Sequence, residues 1–280
     1  MADSAQTGIG RVVALWRYPV KSMMGEELNA ADITDRGLLG DRMYGLVDRA
    51  DGKVATAKNP RKWPNLFDYR AGFVEPPRPD AAMPPVRISL PDGTSVTSEQ
   101  SDHNQILCQA LHREVTLEAT ERKPQEGATS LSEEYWPDME GLDHRDTVTD
   151  FALPEGTFFD IGLVHLLTTT TLDRLRELYP EGRFEVRRFR PNVVVEAPSG
   201  VQDFVENGWI GHTLAIGDEV RLHITEHCSR CVMTTLAQGD LPKDVGILRT
   251  AAKHNGVHVG VYASVLQAGR VRRGDSIRLV

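Results

Sequence analysis

The sequence predicts an α+β protein that is mainly β, folded as two units on either side of a polar stretch. Three observations carry that expectation. The 280 residues hold 24 glycines and 16 prolines at an ordinary 40% hydrophobic and 26% charged content, and such a density of turn formers suits short strands better than helical bundles. β-Prone runs bounded by Asp-Gly, Gly-Asp and proline turns recur along the chain. Only three segments carry apolar residues at helical spacing.

The elements follow in order. GRVVALWRYPV (Gly10–Val20) reads as a first strand stopped by a proline. Asp51-Gly52 between Met43–Val47 and Lys53–Thr56 is a hairpin signal, and Pro91-Asp92-Gly93 between VRISL and TSVTS is a second. EPPRPDAAMPP between them is a proline-rich loop that no central strand accepts. Ser101–Leu111 reads as a short helix capped by Ser101 or Asp102, with Cys108 buried in it as a small hydrophobe. Residues 121–150 are polar and read as a linker or crossover, in which Glu133, Glu134, Asp138 and Glu140 are expected to be solvated. The predicted domains are therefore 8–120 and 151–280. The second opens with a strand at Val164–Leu167, a threonine cap and a helix through Tyr179. A strand follows at Asn192–Glu196, and a helix around Pro242–His254 interrupts two echoing arms, GDEVRL (Gly217–Leu222) and GDSIRL (Gly274–Leu279). Two Gly-Asp turns feeding alternating strands suggest one barrel.

Bulk properties narrow the function. A formal charge of −8 argues against a nucleic-acid or anionic-membrane surface as the main partner. Three cysteines (Cys108, Cys228, Cys231) without framework spacing argue against a disulfide scaffold and for a reducing, cytoplasmic home. MADSAQTGIG has neither a basic nor an apolar leader region, and no run approaches the ~20 apolar residues that span a bilayer. A soluble, unprocessed protein with no membrane contact is expected.

Chemistry concentrates in HCSRCVMTT (His227–Thr235). Its CxxC fits a redox dithiol, half of a zinc site or two packed thiols. The β-branched run after it makes a poor helix for a dithiol, no second CxxC completes a zinc site, and Arg230 is out of place in an inert core. RFEVRRFRPN adds four arginines, with Arg190 immediately before a Pro-Asn turn. Its bland reading is a solvated strand face; its functional one is an anion fork beside an amide, suited to a phosphate or heterocycle edge. YPVKSM contributes Lys21 and Ser22, and GDRMYG contributes Arg42. P-loop, dinucleotide, nucleophile-elbow and HExxH patterns are missing.

The ordered set LWRYPVKSM, GLLGDRMYGLVD, HLLTTTTLDRL, RFRPNVVV and W-x-G-x-x-L-x-I-G followed by CSRCVMTT resembles the MOSC proteins that carry an N-terminal MOSC-associated β-barrel domain. Amidoxime-reducing components, reductases of N-hydroxylated bases and a domain of molybdenum cofactor sulfurase are similar. The likeness spans nearly the whole chain. It implies a MOSC β-barrel, a barrel-like N-terminal domain and a molybdopterin-type molybdenum cofactor in a cleft between them, with Cys231 ligating molybdenum. A soft thiolate suits that metal. The cofactor contacts it implies are Lys21, Ser22, Arg42, Thr168, Arg190, Asn192, Ser229 and Arg230, together with Cys231. The implied reaction is two-electron reduction of an N–O bond in amidoximes, hydroxylamines or N-oxides. The three cysteines cannot build the [2Fe–2S] cluster that some relatives append, so a separate donor is implied: a ferredoxin, a flavin reductase or a cytochrome b5-like protein. A molybdenum cofactor or sulfur carrier is the alternative. The role of Cys228 stays open.

Overall fold

The computed structural model describes residues 8–120, 130–139 and 145–280. The first half runs β1 (Gly8–Arg17), β2 (Glu26–Leu28), β3 (Ala30–Thr34), β4 (Gly37–Leu38), β5 (Tyr44–Asp48), β6 (Arg70–Phe73), β7 (Val86–Ser89), β8 (Ser95–Thr97), α1 (His103–Leu111), β9 (Val115–Ala119), β10 (Leu131–Trp136) and β11 (Thr147–Ala152). The second runs β12 (Val164–Thr168), α2 (Thr169–Leu178), α3 (Val186–Phe189), β13 (Val193–Glu196), β14 (Thr213–Ile216), β15 (Val220–Ser229), α4 (Gly246–Asn255), β16 (His258–Gln267), β17 (Gly269–Arg272) and β18 (Ser276–Leu279). The fold is mainly β, at 38% strand and 17% helix.

Seven strands close a barrel in the order β13, β12, β16, β15, β14, β18, β1, with β1 returning to pair with β13. The echoing arms both flank β14, one as β15 and one as β18. β12 and β13 are parallel, so a crossover must join them; α2 and α3 supply it. Thr168 caps α2 as the threonine run predicts, its hydroxyl accepting the Thr171 amide at 3.2 Å. Alternate residues of the strands fill the interior, among them Val12, Leu15, Val193, Val195, Leu222 and Val261. Outside, Leu172 and Leu175 of α2 and Ile247 of α4 pack with Phe184 and Val259.

β1 makes its ladders with β13, β18 and β2, and β3 pairs with β17. The halves therefore exchange strands, where the sequence suggests two consecutive blocks. Short ladders β5–β9 and β6–β7–β8 surround a second core of Trp63, Leu66, Tyr69, Ile88 and Leu107. The Asp51-Gly52 turn forms, but Val54 makes only one bridge with Val47, because its amide is given to Leu131. Cys108 is half-buried against this core, and its sulfur accepts the Val115 amide at 3.2 Å.

The stretch read as a linker differs. β10 and β11 pair over six residues, from Leu131↔Ala152 to Trp136↔Thr147. Glu133 and Glu134 are not solvated: Glu133 takes Lys53 and Asn59 at 3.0 and 3.1 Å, and Glu134 takes Lys58 at 3.2 Å. Cations distant in sequence neutralise the charges that make this stretch look solvent-bound. Asp138 is exposed, 3.7 Å from Arg145, while Glu140 and residues 121–129 lie outside the described residues.

Candidate functional site

β1 ends at Arg17, and the turn after it carries Lys21 and Ser22 into a cavity lined by residues of both halves. Arg42 reaches it from the loop before β5, Arg190 and Asn192 from the turn before β13, and Ser229, Arg230 and Cys231 from the end of β15. Ser22, Arg42 and Arg190 all have positive φ, at 63°, 48° and 53°. Non-glycine residues rarely adopt that conformation, and it concentrates where a site over-determines its backbone.

Charge is tightly matched inside. Lys21 is paired to Asp160 and donates to the Phe158 carbonyl at 3.1 Å. Lys58 pairs with Glu134 at 3.2 Å and Asp160 at 3.3 Å. Burial acts to raise the Asp160 carboxyl, but Lys21 and then Lys58 hold it well below the usual carboxylate range. Burial lowers the Lys21 ammonium. Arg42 is paired to Asp41, whose carboxylate also accepts the Tyr18 amide at 2.7 Å and the Asn192 amide group at 2.9 Å. Asn192 Oδ1 accepts the His165 amide at 3.0 Å, so this side chain ties β12 to the turn. The Tyr18 ring lies between two guanidiniums, 4.1 Å from Arg190 and 4.7 Å from Arg42. Burial, with Arg42 close by, brings Arg190 down to about 10.

Arg190 donates through Nη1 to the Met23 carbonyl at 2.6 Å, yet its Nη2, the Arg230 Nε and the Tyr18 hydroxyl are buried without a partner. Buried donors are normally satisfied. Two of these orphans, on Arg190 and Arg230, belong to residues that line the cavity.

The cysteines differ sharply. β15 extends through Ser229, so Cys228 is fully buried in a strand. Cys231 is half-buried and starts a 3₁₀ turn at Val232–Thr235. Burial, with Glu134 nearby, pushes the Cys231 thiol up to about 11. Burial acts to raise Cys228 as well, but Arg230 and then His165 bring it down to about 6. Among the described residues no cluster of three or more His, Cys, Asp or Glu is placed to hold a metal ion. Ser229 Oγ lies 3.2 Å from His258 Nδ1 at the rim.

Eight of the nine predicted residues line this cavity. Thr168 does not: fully buried, it bonds the carboxylate of Glu206 at 2.6 Å and caps α2. Its position after a strand resembles a ligand-facing turn, but its hydroxyl is consumed within the helix start. Sequence reasoning missed Tyr18, Asp41, Lys58, Asp160 and Tyr262. Asp41 and Asp160 had a signal, since buried cations require counter-ions; Tyr262 had none. Outward, the cavity shares Lys58, Ile161, Ser229, Arg230 and Cys231 with a depression of about 940 Å³ that Trp136, Met139, Arg249, Lys253 and His258 complete.

Strand-exchanging β units that bring five cations and a half-buried cysteine to one cavity define a class of mainly β proteins with a cationic cavity. Comparison with known families makes this specific: residues 158–278 match the MOSC domain and residues 9–124 match the MOSC N-terminal beta barrel domain. The chain belongs to the family that joins these two domains. It is 24% identical over 96% of its length to mitochondrial amidoxime reducing component 2 of Rattus norvegicus, of which it covers 83%, and 26% identical over 81% to mitochondrial amidoxime-reducing component 1 of Homo sapiens, of which it covers 66%. Among solved structures, the YUAD protein from Bacillus subtilis aligns with a TM-score of 0.48 and 11% identity over 98% of this chain and 97% of that one. YiiM from Geobacillus stearothermophilus aligns with 0.33 and 19% identity over 42% and 54%.

Proposed function

We propose that this chain is a reductase of N-hydroxylated compounds that holds a molybdenum cofactor of the molybdopterin type, with Cys231 as the protein ligand to the metal. The observation that carries the reading is the convergence of Lys21, Arg42, Arg190 and Arg230 beside Cys231, with orphaned donors on Arg190 and Arg230. The donor chemistry fits the group. Lys21, Arg42 and Arg190 are cations for a phosphate; Ser22 and the Arg230 Nε are polar partners for a pterin edge; and a thiolate suits molybdenum. Distant similarity to amidoxime reducing components supports the substrate class.

When bound, the cofactor supplies the two-electron chemistry that takes oxygen from an N–O bond. The chain's own residues set the conditions for it. Cys231 must lose its proton to act as a ligand, and Lys58 and Arg230 both favour its anion. The outer depression offers Trp136, Met139 and Ile161 as an apolar wall for a small organic substrate. Lys58, kept charged by Asp160 and Glu134 against burial, stands where the two cavities meet and carries a proton on Nζ. Electrons come from a separate protein, a ferredoxin, flavin reductase or cytochrome b5-like donor, in the cytoplasm. No helix among the described residues is long and apolar enough to cross a membrane.

Elemental analysis of the purified protein tests this first. Near-stoichiometric molybdenum in the wild type, lost in Cys231→Ser, is expected, along with consumption of benzamidoxime under reduced viologen. Zinc without molybdenum refutes the reading. Molybdenum-loaded protein that turns over neither amidoximes nor hydroxylamines points instead to a cofactor carrier.

A further inference from the structure

We propose that Cys228 is a positioning residue whose sulfur serves as the counter-ion that holds the Arg230 guanidinium in the cavity wall. This rests on the reading that Arg230 contacts the cofactor.

Arg230 is held at three points. Its amide donates to the Val257 carbonyl at 2.8 Å, Nη2 donates to the Phe189 carbonyl at 2.9 Å, and Nη1 donates to Cys228 Sγ at 2.6 Å. Both ends of the fork are therefore committed to protein, and Nε is left buried without a partner. Such an arrangement selects one nitrogen for a ligand and fixes the plane in which it is offered. Arg's planar fork makes this possible, since fixing its terminal nitrogens fixes the third.

A guanidinium partly withdrawn from water, with its Nε buried, is favoured by a counter-charge. Among the described residues no carboxylate forms an ion pair with Arg230. The carboxylates that line or back the cavity are taken elsewhere: Asp160 and Glu134 by Lys21 and Lys58, Asp41 by Arg42. The sulfur is what remains. The groups facing it from the packed strands agree: His165 of β12, whose Nε2 lies 3.1 Å from the Val259 carbonyl, and Tyr262 of β16 favour the thiolate along with the Arg230 charge. That environment brings the thiol down to about 6, ionised at neutral pH. Cys231, three residues on, is pushed the opposite way.

The backbone supports the same arrangement. The β15–β16 register slips between His227 and Ser229, so Cys228 lies opposite an irregularity at Val259–Gly260. Gly260 has φ +86°, and a Cβ there would stand 2.3 Å from His165 Nε2. The bulge leaves room for the imidazole that faces the sulfur.

Thiolate absorbance of cofactor-free protein gives the first test, as a wild-type minus Cys228→Ser difference titration. The expected midpoint lies below the ordinary ~8.5 of a free thiol and rises toward it in Arg230→Gln. The second test follows molybdenum retention on dilution. Cys228→Ser should lose the cofactor about 10- to 100-fold faster, the usual effect of removing a group that orients a ligand-binding residue, and should melt lower, because the Arg230 charge is left without its counter-ion. Cys228→Asp, which restores an anion, should recover much of that loss. The proposal is overturned if no thiolate forms below pH 7, if Arg230→Gln leaves the midpoint in place, or if Cys228→Ser retains molybdenum like the wild type. The titration needs no cofactor, so its result stands apart from the fate of the reductase reading.

Discussion

Arg188 is fully buried, and its guanidinium serves only backbone. Nε donates to the Arg183 carbonyl at 2.9 Å, Nη1 to Thr234 and Leu236 at 3.1 and 3.0 Å, and Nη2 to Pro242 at 2.8 Å. These bonds staple the segment after Cys231 to the crossover before β13. Replacement by leucine removes all four. Hydrogen bonds to a charged group contribute about 1.5–3 kcal/mol each, and a buried acceptor left bare costs about 1–3 kcal/mol. The terms are not additive, and burying the leucine side chain returns about 1.5–3 kcal/mol. A net loss of about 3–5 kcal/mol is expected, in the range for breaking a buried charged network. At about 2–4 °C per kcal/mol for domains near this size, melting should fall by about 6–20 °C. Urea unfolding and calorimetry measure it, and limited proteolysis should find a new cut between Leu236 and Pro242. Arg188→Leu within about 1 kcal/mol of wild type would refute the assignment of the staple.

Two further predictions test the barrel. Burial raises the Glu206 carboxyl, although Thr168 and Thr171 hydrogen bonds oppose it. A raised folded-state value means that its contribution is fully present below the unfolded value and lost as pH rises through the folded one. The stability of Glu206→Gln relative to wild type should therefore increase with pH; equal urea-midpoint differences at acid and alkaline pH would contradict this. Gly260→Ala places a methyl 2.3 Å from His165 Nε2 and 2.5 Å from the Leu166 carbonyl at φ +86°. It should destabilise the protein by at least about 1–3 kcal/mol, and a neutral melting curve would show that the strand relaxes freely.

Legibility varied with the range of the interaction. The Pro91-Asp92-Gly93 hairpin, the α1 segment and the capped strand-to-helix passage at Thr168 were readable because turn chemistry and capping act over a few neighbours. Thr168 also shows the limit of the site reading. Its place in the motif is right, but its hydroxyl belongs to Glu206, 38 residues away. Glu133 and Glu134 looked like solvated linker charges because Lys53 and Lys58, more than seventy residues earlier, cannot be assigned to them from composition.

By itself, the sequence determined the mainly β character, the turns, and the ordered motifs that bring Lys21, Arg42, Arg190 and Cys231 to one place. Only the tertiary structure decided that β1 closes the barrel of the second half, that Asp41 and Asp160 balance the cations, and that Cys228 and Cys231 are unlike. The reason is physical. Propensity and capping are properties of adjacent residues, whereas a strand's edge partner and a thiol's proton affinity depend on groups brought together by folding. Lys21 meets Asp160 across 139 positions and Asn192 meets Asp41 across 151. Two cysteines separated by Ser229 and Arg230 carry no local sign of which one faces an arginine and which one is half-open to the cavity.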